Sequence, residues 1–78
     1  MTKRYMKEAQ DLEWAKENDK TILIECRGLD DPTFETNGYY IRFINGVPCA
    51  FNENNVIIAY NVDLSVNSEY TKYFVEEQ

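Results

Sequence analysis

The longest regular pattern in the chain is an alternation. Val56, Ile58, Tyr60, Val62, Leu64 and Val66 occupy every second position, with Ile57, Ala59, Asn61, Asp63 and Ser65 between them. Successive side chains of an extended chain point to opposite faces, so period two over eleven residues predicts a strand. A shorter alternation runs from Lys20 to Arg27, with Ile22, Ile24 and Cys26 on one face and Thr21, Leu23, Glu25 and Arg27 on the other. Gly28 stops it. Tyr39–Ile44 and Val47–Phe51 flank Asn45-Gly46, a pair that accepts the two positive φ angles of a tight hairpin turn. The stretch from Gly28 to Gly38 reads as an acidic loop, and Asn52-Glu53-Asn54-Asn55 as a polar one.

The C-terminal segment is open to two readings. Tyr70, Thr71, Tyr73, Phe74 and Val75 favour a strand by propensity. A turn at Asn67-Ser68 would pair Leu64 with Thr71, Val62 with Tyr73 and Tyr60 with Val75, setting Asp63 opposite Lys72. The alternative is a terminal helix capped by Ser68.

At the other end, Thr2 to Asn18 lacks Gly and Pro and is rich in good helix formers. Tyr5, Ala9 and Leu12, with Met6 and Ala15 at the margins, fall on one side at helical spacing. This predicts one N-terminal helix, stopped at Asn18-Asp19. Trp14 lies nearly opposite that stripe, beside Lys7, Gln10 and Glu17. Either a loop folds back over the indole or Trp14 anchors a partner.

The elements together predict an α+β fold in a single domain spanning residues 1–78. One helix packs on one face of a four- or five-stranded, mainly antiparallel sheet. Folding the chain at its turns puts Tyr40, Ile44, Val47, Cys49 and Phe51 on one face with Val56, Ile58, Tyr60, Val62 and Leu64, and the helix is expected there. Tyr39, Ile41, Phe43, Pro48, Ala50, Ile57 and Ala59, with Tyr70 and Phe74, would form the second face. A single helix leaves that second face open, which makes it a candidate contact surface.

Charge sharpens the picture. The chain has 8 Lys+Arg against 14 Asp+Glu, a formal −6. Residues 1–20 carry five groups of each sign, so the whole excess lies in residues 21–78, where only Arg27, Arg42 and Lys72 are positive. A neutral helix on an acidic body follows. Such acidity disfavours direct binding to nucleic acid. Its sharper reading is imitation of nucleic acid phosphates, by which an acidic surface enters a basic groove of a nucleic-acid-handling protein.

The absences narrow the chemistry. There is no histidine, no Cys-x-x-Cys pair and no Gly-rich phosphate motif, which argues against an enzyme, a cofactor or a metal centre. Asp30-Asp31-Pro32 has oxygen ligands, yet it matches no calcium loop and opens a turn readily. Cys26 and Cys49 alternate with apolar neighbours and read as buried thiols of a cytoplasmic protein. No apolar run approaches the roughly 20 residues of a membrane span, and no secretory signal is expected.

These features predict a non-catalytic, protein-binding inhibitor or modulator that occludes a functional surface of a larger protein. Eight Asn, six Tyr and six Ile suit AT-rich coding, which points to a phage or mobile element acting against a host CRISPR, restriction or transcription complex. Trp14, Asp30, Asp31, Glu35, Tyr39 and Phe43 are the expected partner contacts. The alternative is a homodimeric structural or regulatory subunit whose open sheet face is its dimer interface.

Overall fold

The computed structural model describes all 78 residues. The chain is α+β: strand β1 (Thr2–Tyr5), helix α1 (Ala9–Glu17), and strands β2 (Ile22–Cys26), β3 (Glu35–Ile44), β4 (Val47–Phe51), β5 (Ile57–Tyr60) and β6 (Thr71–Glu77). All six strands join one antiparallel sheet in the order β1-β6-β2-β3-β4-β5. The sheet has one more strand than the sequence pattern counts.

The additional strand is β1, taken from the start of the predicted helix. Thr2–Tyr5 pairs with Glu77–Phe74 at the far end of the sequence. The helix begins only where Asp11 can accept hydrogen bonds from the backbone N–H groups of Lys7 (3.0 Å) and Glu8 (2.9 Å). Two otherwise unsatisfied donors are met there. Those bonds, with the Arg4 guanidinium behind them, hold the Asp11 carboxyl below its ordinary pKa. Asn18 and Asp19, the latter at φ 51°, end the helix as its sequence suggests.

The hairpin at Asn45-Gly46 forms as read, with φ angles of 52° and 78°. Ile41 faces Ala50 and Phe43 faces Pro48 across it. The C-terminal segment is a strand rather than a helix, but its expected pairing with the preceding segment does not occur. It enters the middle of the sheet, between β1 and β2, with Lys72 opposite Glu25 rather than Asp63.

The eleven-residue alternation stops early. β5 ends at Tyr60 because Asn61 turns to φ 51°, and the chain leaves the sheet edge. Residues 61–70 cross back over the helix-bearing face to reach β6. Val62 N–H donates to the Pro48 carbonyl (3.0 Å) and Asn67 N–H to that of Met6 (2.9 Å). Val62 and Leu64 thus pack with Leu12 and Trp14 against a core of Met6, Ala15, Ile22, Ile41, Phe43 and Val75.

This corrects the expected faces. Tyr40, Ile44, Val47, Cys49, Phe51, Ile58 and Tyr60 do share one face, but α1 lies on the opposite one, over Ile22, Ile41, Phe43 and Val75. The register of β2 decides the matter: Leu23 and Glu25 stand on the Tyr40 side, and so does Phe74 beside Leu23. A helix there would have to bury the charges that flank Glu25, which is costly without full compensation.

Gly46 has room for a methyl group, its nearest neighbour being Lys16 Cε at 3.9 Å. Its φ is what forbids one. Gly46→Ala is expected to cost about 1–2 kcal/mol, the penalty for a left-handed L-residue, read as a lower urea midpoint with an unchanged slope.

Candidate interaction surfaces

The helix-free face has its own cover, made of cations laid on aromatic rings. Lys3 Nζ lies 4.7 Å from the Phe74 ring centre, and Lys72 Nζ lies 4.3 Å from that of Phe34 and 5.5 Å from that of Tyr5. The Arg27 guanidinium sits 4.6 Å from Tyr70 and 5.7 Å from Phe34, and that of Arg42 5.4 Å from Phe51. Tyr40 stacks on Phe51 at 5.1 Å. Long basic side chains cover apolar surface with their stems and keep their heads in water, while the ring faces attract the charges. All three cations of residues 21–78 are used in this way.

At the centre is Glu25, the one buried charged side chain. Its Oε1 accepts the Tyr5 hydroxyl hydrogen bond (2.9 Å) and its Oε2 that of Lys3 Nζ (3.0 Å). Burial pushes the Glu25 carboxyl up, but the bonds from Lys3 and Tyr5 and the charges of Lys3 and Lys72 outweigh it and hold the pKa below 4.5. Burial and the same carboxylate raise the Tyr5 pKa. The Glu25 hydrogen bond raises that of Lys3. The sequence pattern set Glu25 on a strand face with Thr21, Leu23 and Arg27 without marking it as buried. The available signal was its position between Leu23 and Arg27 inside a strand, where most other acids fall in loops.

The register also gathers carboxylates. Cys26 pairs with Glu35 and with Thr71, and Phe51 with Tyr40. The loops 27–34, 52–56 and 67–70 therefore emerge at one end of the sheet, carrying Asp30, Asp31, Glu53 and Glu69 beside Glu35. All five are exposed. Arg27 is the cation among them, reaching Glu69 Oε1 at 3.5 Å and the carbonyls of Glu69, Gly28 and Asp31.

The six expected contacts are thus divided. Asp30, Asp31 and Glu35 come together at this acidic end. Tyr39 is exposed near the Gly38 irregularity of β3, where Tyr39 N–H donates to Asn37. Phe43 is 5% exposed, in the core beneath α1. Trp14 packs on that core, half-buried, with the Arg4 guanidinium of β1 3.5 Å from its ring centre.

The surface has no enclosed pocket, and no three His, Cys, Asp or Glu side chains converge as metal ligands. Both cysteines are free, Cys49 buried and Cys26 half-buried. No helix is long and apolar enough to cross a membrane. No family model matches the chain, and no curated protein or solved structure is similar to it.

Replacing Glu25 by Gln removes the charge that Lys3 faces and is expected to cost about 1 kcal/mol at neutral pH, modest because Lys3 is half exposed. Folding lowers the Glu25 pKa, so its contribution is complete above 4.5 and is lost as pH falls through the folded value. The stability gap between wild type and Glu25→Gln, measured by urea unfolding, should therefore close as pH is lowered below that range.

Proposed function

We propose that the chain is a non-catalytic inhibitor or modulator that occludes a basic surface of a larger, nucleic-acid-handling protein with the acidic end of its sheet. The observation that carries this reading is the segregation of charge. Asp30, Asp31, Glu35, Glu53 and Glu69 gather at one end, where the nearby cations are Arg27, paired with Glu69, and Lys72, laid on Phe34, while Arg42 lies on Phe51 of the helix-free face. Clustered like charges on three loops raise the local field and steer a basic groove toward that end. Occlusion asks for no pocket and no catalytic set. A phage- or mobile-element-encoded protein acting in the host cytoplasm against a CRISPR, restriction or transcription complex fits this chemistry. In it the carboxylates stand where nucleic acid phosphates would bind.

The test is capture from bacterial extract on the immobilised chain, beside a variant carrying Asp30→Lys, Asp31→Lys and Glu35→Lys. Retained proteins should be nucleic-acid-binding, be displaced by an added oligonucleotide, and be absent from the variant. They should elute between about 0.1 M salt, where charges reach roughly 10 Å, and about 1 M, where they reach roughly 3 Å. Retention indifferent to salt and to the three reversals would overturn the reading.

A further inference from the structure

We propose that the chain pairs with a second copy of itself through the free edge of β5, antiparallel about a two-fold axis, to form one continuous twelve-stranded sheet. The sheet has two edges, and they are built differently. β1 carries Lys3 and Arg4, the charged side chains that ordinarily keep an edge from pairing. β5 carries none. From Asn54 to Val62 the chain has nine consecutive residues without a charge, a proline or a glycine, in a sequence that is 28% charged. β5 sits in the middle of that stretch with one side of its backbone unpaired.

The side chains around the edge point the same way. The cation cover of the helix-free face ends at Arg42, and beyond it Ile44, Val47, Ile58 and Tyr60 are 37%, 40%, 54% and 73% exposed. Ile44, Val47 and Tyr60 share that face by their pairing, and Ile58 by alternation with Tyr60. Of these, Ile58 and Tyr60 stand on β5 itself, where a strand added to the edge would meet them. A register centred on Ala59 keeps each face continuous and sets Ile58 against Tyr60 of the second copy, twice.

Charge selects this arrangement among self-pairings. Two copies at −6 each repel, and a parallel alignment would bring their acidic ends side by side. The antiparallel alignment sends Asp30, Asp31, Glu35, Glu53 and Glu69 of each copy to opposite ends of the joined sheet, where distance and salt weaken their repulsion.

Sedimentation equilibrium over rising concentration tests the pairing without reference to any foreign partner. The wild-type chain should pass from one to two times its monomer mass, and amide exchange at residues 57–60 should slow as it does so. Ile58→Lys and Tyr60→Lys, both at exposed positions, should keep the wild-type circular dichroism and raise the dissociation constant at least tenfold. A chain that stays monomeric to millimolar concentration overturns the proposal. So does a dimer that survives both substitutions, or one that leaves the exchange of residues 57–60 unchanged.

Discussion

A single buried carboxylate organises one side of this molecule. Glu25 stands on β2, but both of its hydrogen-bond donors, Lys3 and Tyr5, stand on β1, and β6 lies between the two strands. The bonds reach across β6 and tie the edge of the sheet to its middle. They also place Lys3 over Phe74 and Tyr5 against the same ring, at 5.6 Å between centres. Burial alone would raise the pKa of a carboxylate at that depth, because it disfavours the charge. Here the ionised form prevails, and with it the row of cations and rings that runs toward Arg42.

That row answers the problem posed by one nine-residue helix and a sheet with two apolar faces. The helix and the crossing segment 61–70 close one face around Ile22, Ile41 and Phe43. Side chains alone close most of the other. The arrangement has a consequence for charge: Arg42 is held on the sheet face, and at the acidic end Arg27 pairs with Glu69 while Lys72 lies on Phe34, so five loop-end carboxylates share two cations. It also has a limit, because no long cation stands beyond Arg42 to cover Ile44, Val47, Ile58 and Tyr60.

Much of the fold was legible in local sequence. The hairpin was, because Asn45 and Gly46 accept positive φ and their neighbours alternate. The strand character of residues 71–77 was, through Thr71, Tyr73, Phe74 and Val75. What escaped depends on partners far along the chain. Thr2–Tyr5 is extended because it meets Phe74–Glu77, which no helix propensity records. The alternation from Val56 to Val66 continues past β5, but Asn61 carries Val62 and Leu64 to the opposite face of the sheet. The helix-bearing face was misjudged because the pairing of Leu23 and Glu25 with the Tyr40 side is a contact between strands that the hairpin pattern alone does not contain. Of the candidate contacts, the acidic loop residues were readable from composition. Phe43 was not distinguishable from an exposed ring until the helix was placed.

The most direct measurement is the NMR titration of the Glu25 carboxyl carbon beside the other carboxylates of the chain. The Glu25 midpoint should lie below those of the exposed glutamates, with the Tyr5 and Lys3 side-chain resonances moving in the same step. A midpoint at or above those of the exposed glutamates, or one that leaves those two resonances still, would mean that burial outweighs the two hydrogen bonds. The carboxylate would then not be what holds the helix-free face together.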